Sequence, residues 1–262
     1  MTDRLSVHYL EDQTDEYVAR LRGMLAPEIT LTVGSALPPA PDYHILISGR
    51  FEESHLTASP NLRTVIIPWA GFPVKMRDLM QAYPEIAVQT LHYNSIVVAE
   101  TAVALMLAAA RRILPADRAL RTGDWHPRYE DSPAIMLHGK TALIIGFGSI
   151  GRQVAQICRA LGMRVVATRR RADGRTDPSI ELHSPDQLDQ LLPRANVVHV
   201  CVPLTAETEN LLDKRRLALL PDHAVVVNVA RGPVINEEAL YCEVESGRLS
   251  AGIDVWYTYP QT

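Results

Sequence analysis

Three glycines spaced as Gly146-Phe147-Gly148-Ser149-Ile150-Gly151 follow the apolar run Ala142–Ile145 and open the helical pattern Gln153–Ile157. Such a pattern carries little weight alone, but a strand before it and a helix after it are the context its physics requires. Gly146 permits the tight turn, Gly148 lets the backbone approach a pyrophosphate, and Gly151 allows helix and strand to pack closely. The phosphates then meet the first helical turn, with Ser149 and Ile150, where unpaired N–H groups and the helix dipole favour an anion. The expected fold class is therefore α/β, a Rossmann doubly wound parallel sheet that takes a dinucleotide at the carboxyl ends of its strands. The competing reading is a glycine-rich turn with no ligand.

The next strand, Met163–Thr168, is expected to end about 20 residues past the glycines in an acid that grips the ribose 2′-hydroxyl of NAD. Arg169, Arg170 and Arg171 stand there instead. An acid would repel a 2′-phosphate, whereas guanidinium groups pair with it bidentately. The expected cofactor is accordingly NADP, with NAD possible. The alternative is that the arginines form a solvated loop.

Alternation of β-like and helical stretches runs the length of the chain and argues for parallel sheets covered by helices. Before the glycines, strands are expected at Leu5–Leu10, Ile29–Val33, Tyr43–Ser48, Arg63–Pro68 and Ile86–Gln89, with a helix at Asp15–Leu25. Ser95–Ile113 reads as one long helix, apolar nearly all round and capped by Asn94 or Ser95. Such a helix has to be buried on most sides, so it joins two domains or meets a partner subunit, and a homodimer is expected. Arg121–His138, with its turn formers, reads as a loop. Beyond it come Thr141–Ile145, Ser149–Leu161, Met163–Thr168, Pro185–Leu191, Val197–Cys201, Ala224–Asn228, Glu237–Ser246 and Leu249–Ile253. A domain switch is expected near residue 96.

A net charge of −4 supplies no basic field, so neither nucleic acid nor an anionic membrane is expected as a partner. The longest uncharged apolar run, Thr101–Ala110, is about half of the roughly 20 residues a membrane span needs. The N-terminus lacks the apolar core of a signal peptide. Cys158, Cys201 and Cys242 lie far apart without zinc-ligand spacing and read as reduced core thiols of a cytoplasmic protein.

Four ordered segments, His138–Ala167, Val202-Pro203-Leu204-Thr205 with Thr208, Asn228-Val229-Ala230-Arg231-Gly232, and Ala251-Gly252-Ile253-Asp254-Val255, resemble the successive signatures of the D-isomer-specific 2-hydroxyacid dehydrogenases. Upstream, Trp69-Ala70-Gly71 resembles the family's substrate-carboxylate loop and Asn94–Glu100 the opening of its interdomain helix. The resemblance implies a flavodoxin-like α/β substrate domain over residues 1–96 and an NAD(P)-binding domain over 97–262. It also implies reduction of a small 2-oxo acid, glyoxylate-like or hydroxypyruvate-like, by hydride from a nicotinamide. On the same ground Ala70, Gly71 and Arg231 bind the substrate, Arg231 holding its carboxylate and carbonyl oxygen with a planar, permanently charged fork. Val202, Pro203, Thr205, Thr208, Val229, Ala230 and Asp254 would line the cofactor side, Asp254 at the nicotinamide end.

The sequence departs from that family at its end. Where the family places an acidic or amide residue before a proline, Tyr259 precedes Pro260, so a phenol replaces the charge that raises a catalytic histidine's pKa. The family's histidine and the helix that completes its first domain lie beyond the position of Thr262, so a truncated form with turnover about a thousandth of a full-length relative is one expectation. A catalytically inactive nucleotide-binding sensor or interaction protein is the other. Of the remaining histidines, His199 reads as a satisfied core residue and His223 as a turn residue, while for His92, just before the long helix, a place facing the cleft is the lesser of its readings.

Overall fold

The computed structural model describes residues 4–69, 71–72, 74–129, 134–170 and 178–258. Their contacts divide the chain into two compact units, Met1–Asn94 and Ser95–Thr262.

The first unit runs β1 (Leu5–Tyr9), α1 (Asp15–Met24), β2 (Ile29–Val33), β3 (Ile45–Ile47), α2 (Glu53–Thr57), β4 (Thr64–Ile67), α3 (Val74–Met80) and β5 (Ala87–Thr90). Its strands form one parallel sheet in the order β2-β1-β3-β4-β5, the flavodoxin-like arrangement. Thr14 caps α1 by accepting from the Tyr17 N–H, and Asp15 and Glu16 complement the helix dipole in its first turn. Burial of Tyr43, Leu46, Phe51, Leu56, Val65, Ile67, Met80 and Ile86 makes the core.

The second unit begins with α4 (Ser95–Ala110) and α5 (Ile113–Arg121), then continues β6 (Thr141–Ile145), α6 (Ser149–Ala160), β7 (Arg164–Thr168), β8 (Glu181–His183), α7 (Leu188–Leu191), β9 (Val197–Val200), α8 (Lys214–Leu217), β10 (Val225–Asn228), α9 (Glu237–Glu245) and β11 (Ser250–Ile253). All six strands are parallel, in the order β11-β10-β9-β6-β7-β8. This is the doubly wound Rossmann order, with its topological switch between β6 and β9. Helices cover both faces, which is why β6, β9 and β10 are mostly apolar, with Thr141, His199 and Asn228 the exceptions: every residue of the three is buried.

The single helix expected over Ser95–Ile113 is not formed. It stops at Ala110, whose carbonyl accepts from the Ile135 N–H, Arg112 turns left-handed at φ 54°, and α5 restarts at Ile113. Pro115 supplies the reason: in a continuing helix its ring would clash with the Arg111 carbonyl, whereas in the first turn of a new helix it is tolerated. The expected loop after Arg121 contains a short 3-10 turn, His126–Arg128. No helix among the described residues is long and apolar enough to cross a membrane.

Candidate cofactor site

Because the six strands of the second unit are parallel, the loops after β6, β7, β9, β10 and β11 share one edge of the sheet. At the β6/β9 switch this edge opens into a crevice of about 620 Å³, lined by Gly146–Gly148, Thr168–Arg170 and the segment from Cys201 to Thr208. Backbone hydrogen bonds fix its floor. The N–H groups of Gly146 and Phe147 donate to the Thr168 carbonyl at 3.2 and 2.9 Å, and that of Cys201 to Ile145 at 2.8 Å.

The glycines do different work. Gly146 has φ +101°, and a Cβ there would stand 2.7 Å from the Cys201 carbonyl oxygen, so the turn needs both the backbone angle and the missing side chain. A Cβ on Gly151 would overlap the Gly146 carbonyl oxygen, so this residue lets α6 sit down on the turn. Gly148, at the N-cap of α6, is exposed, is not left-handed, and has no atom within 4 Å of where its Cβ would be. No packing or backbone requirement explains that glycine. Open space in front of the first N–H groups of a helix is what a dinucleotide's phosphates fit. Phe147 is buried, with the Arg152 guanidinium 5.0 Å from its ring centroid.

Arg169 and Arg170 line the same crevice at the end of β7, Arg169 half-buried and Arg170 exposed; Arg171 lies outside the described residues. Val202, Pro203, Thr205 and Thr208 form the opposite wall. Thr208 shapes it: its hydroxyl donates to the Pro203 carbonyl at 2.6 Å and accepts from the Thr205 N–H at 2.8 Å. Ser149 and Ile150 open α6 without lining the crevice.

Val229, Ala230, Arg231 and Asp254 sit on the same sheet edge, beyond β10 and β11. Buried Asn228 clamps their loop, its amide donating to the Arg231 carbonyl and accepting from the Ala230 N–H, both at 3.0 Å. Arg231 is exposed, with Nη1 donating to the Ala230 carbonyl at 2.7 Å. A Cβ on Gly232 would stand 2.6 Å from the Trp256 carbonyl oxygen, and the Asp254 N–H donates to Asn228 at 3.0 Å, so the Arg231 loop and the Asp254 segment are packed as one piece. Val229 and Ala230 are buried and Asp254 is exposed. Tyr257, which sequence reasoning passed over for Tyr259, packs beside Gly232. Its hydroxyl is buried without a hydrogen-bond partner, and burial, with Glu237 as a lesser cause, pushes its pKa up to about 12. Ala70 and Tyr259 lie outside the described residues, and Gly71 follows β4 in the first unit.

Burial removes His199 from acid–base roles. It is 0% exposed on β9, with Nε2 3.4 Å from the Met106 sulfur and 3.8 Å from Cys158 Sγ, and burial lowers its pKa to about 3. It is a core histidine but not a fully satisfied one, since Nδ1 has no partner. His223 is exposed in a turn at φ 63°, and His92 is exposed. The expectation of core thiols needs correcting at Cys242, which is exposed on α9 because it falls on the outer face of that helix. Burial pushes the Cys158 and Cys201 thiols up to about 12, away from reactivity. Among the described residues no group of His, Cys, Asp or Glu is arranged to hold a metal.

Known proteins of one family resemble this chain in sequence and in fold. Residues 103–262 match the family model described as D-isomer specific 2-hydroxyacid dehydrogenase, NAD binding domain. The chain is 37% identical over 215 residues to a D-3-phosphoglycerate dehydrogenase of Archaeoglobus fulgidus, covering 78% of this chain and 38% of that protein. It is 39% identical over 166 residues to a hydroxypyruvate reductase of Thermotoga maritima, covering 63% and 52%. The chain thus spans between two fifths and about half of these relatives. Its fold matches the crystal structure of a D-isomer specific 2-hydroxyacid dehydrogenase from Xanthobacter autotrophicus Py2 in complex with NADPH and MES, with TM-score 0.80 and 25% identity over 98% of this chain and 82% of that one.

Proposed function

The chain belongs to the D-isomer-specific 2-hydroxyacid dehydrogenases, and from that premise we propose that it serves NADPH-dependent reduction of a small 2-oxo acid of the glyoxylate or hydroxypyruvate kind. The observation that carries this reading is the open space over Gly148, in a crevice that Arg169 and Arg170 also line. The nicotinamide cofactor supplies the hydride when bound. The protein's own residues bind and orient. The first turn of α6 receives the pyrophosphate, Arg169 and Arg170 select the 2′-phosphate, and the wall held by Thr208 flanks the nucleotide. Arg231, on a loop clamped by Asn228, offers a fork of N–H donors to a carboxylate and to the oxygen on which negative charge develops. In this proposal residues 1–96 are the substrate domain, contributing Ala70 and Gly71 to the carboxylate site, and 97–262 are the NAD(P)-binding domain.

The test is a titration followed by an assay. NADPH is expected to bind at least tenfold tighter than NADH, roughly 1.4 kcal/mol, and Arg169→Asp to reverse the preference. Addition of glyoxylate or hydroxypyruvate is expected to oxidise NADPH, and Arg231→Gln to abolish that oxidation while sparing nucleotide affinity. Equal affinities overturn the cofactor assignment. Tight binding with no oxidation of NADPH by any 2-oxo acid, in an assay able to detect about a thousandth of an ordinary reductase's turnover, favours the sensor reading.

A homodimer is part of the proposal. α5 buries none of its residues in its own chain, and Ile113, Leu114 and Leu120 on it are 49, 59 and 49% exposed. Trp125 and Met136 are exposed as well, and a second copy of the chain is the occupant that closed two-fold symmetry supplies for the apolar face of α5. Light scattering is expected to give twice the chain mass of 29.1 kDa, and Leu114→Glu with Leu120→Glu to halve it. A monomer at micromolar concentration rules the dimer out.

A further inference from the structure

The first unit contains a glycine that no backbone requirement explains. Gly49 follows β3 by two residues and Trp69 follows β4 by two, on neighbouring parallel strands paired Ile47 to Ile66. Gly49 does not adopt the left-handed backbone that favours glycine. A Cβ on it would instead land within the six-membered ring of Trp69. The turn beneath the ring is held firmly. The Ser48 N–H donates to Ile66 at 3.0 Å, and the Ser48 hydroxyl donates to the Arg50 carbonyl at 2.7 Å and accepts from the Arg50 N–H at 3.1 Å. The missing side chain is therefore a seat for the indole.

The seated ring bridges the ends of β3 and β4 at the carboxyl edge of the sheet, where ligands of open α/β sheets bind. It stays 37% exposed there, which a ring placed only to fill a core would not. It also stands immediately before Ala70-Gly71. We propose that Trp69, positioned by Gly49, sets the size of the 2-oxo acid that the protein accepts. The indole occupies the room into which a side chain on the substrate's third carbon would extend, so two- and three-carbon acids enter and aromatic or branched ones do not. This inference rests on the reading of the chain as a 2-oxo acid reductase whose carboxylate loop is residues 70–71.

The experiment measures binding in a ternary complex that cannot react, with the full chain loaded with NADP⁺ and titrated calorimetrically with glyoxylate and with phenylpyruvate. The wild type is expected to favour glyoxylate. Trp69→Ala is expected to move the ratio of affinities at least tenfold towards phenylpyruvate, and Trp69→Phe, which keeps a ring on the seat, to move it far less. Gly49→Ala, which evicts the ring without deleting it, is expected to move the ratio in the same direction as Trp69→Ala. A general loss of structure would lower both affinities together, so the ratio separates specificity from folding. An unchanged ratio in Trp69→Ala, with glyoxylate still bound, overturns the inference and leaves the reductase reading standing. If the wild type binds NADP⁺ but neither acid, the reductase reading fails and the size limit fails with it.

Discussion

Gly148→Val is expected to leave the fold intact and to cost nucleotide binding at least a hundredfold, about 2.7 kcal/mol. The added methyl groups enter open space, since nothing lies within 4 Å of the Cβ position, and φ −93° with ψ −154° is an extended backbone that valine adopts. The cost to stability is confined to the weaker N-cap preference of valine, on the order of 1 kcal/mol, which shifts the melting temperature by roughly 2–4 °C for a chain of this size. Phosphates approaching the α6 N-terminus meet those same methyl groups at van der Waals distance and lose the short N–H contacts. Gly151→Ala should behave in the opposite way. Its Cβ overlaps the Gly146 carbonyl oxygen, so α6 must lift off the turn, and overpacking of this kind costs about 1–3 kcal/mol of stability. Thermal melts with and without NADPH separate the two. A Gly148→Val protein that binds NADPH like the wild type would remove the pyrophosphate from this turn.

These glycines mark how far the sequence could be read. The spacing of Gly146, Gly148 and Gly151 announces strand, turn and helix because each constraint acts within a few residues, and β6, β9 and β10 declare themselves because both their faces are buried. Contacts between distant residues leave no such trace. Trp69 on Gly49 is a three-dimensional fit between loops 20 positions apart, and Gly49 by itself looks like any turn glycine. The clamp of Asn228 on Arg231 lay inside a recognised motif, yet its purpose is visible only in the paired 3.0 Å bonds. The break between α4 and α5 was legible in Pro115 but was hidden by the apolar run on both sides of it. Hydropathy alone cannot tell one buried helix from a buried helix followed by one whose apolar face its own chain leaves uncovered.

His199 is expected to make the second unit acid-labile in a defined window. In the folded protein it is fully buried between helices and sheet and stays neutral down to about pH 3, whereas in the unfolded chain it takes up a proton near 6.5. Between those values the unfolded state binds the extra proton, so stability rises with pH and is lost as pH falls from about 6.5 towards 3. The slope is about 1.4 kcal/mol per pH unit, or roughly 3 kcal/mol over the two units below 6.5. Other groups act elsewhere or can be subtracted. Asp189, held down to about 2 by Arg215 and Arg216, and Glu181, held down to about 2 by Arg194 and His183, weaken the fold as pH falls from the ordinary carboxylate values towards about 2; both pairs are exposed to solvent screening and are common to wild type and variant. His8 is also lowered by burial and by His55, but it belongs to the first unit and is common to wild type and variant. His199→Leu keeps an apolar side chain of similar volume against Met106 and Cys158 and removes the titrating group. Denaturant melts at about pH 7.5, 6.5, 5.5 and 4.5 should therefore show the wild type losing stability relative to His199→Leu at each step below 6.5 and keeping a constant difference above it. Parallel curves across the whole range would mean that the unfolded-state proton uptake is matched in the folded protein, and that His199 is not held neutral by its burial.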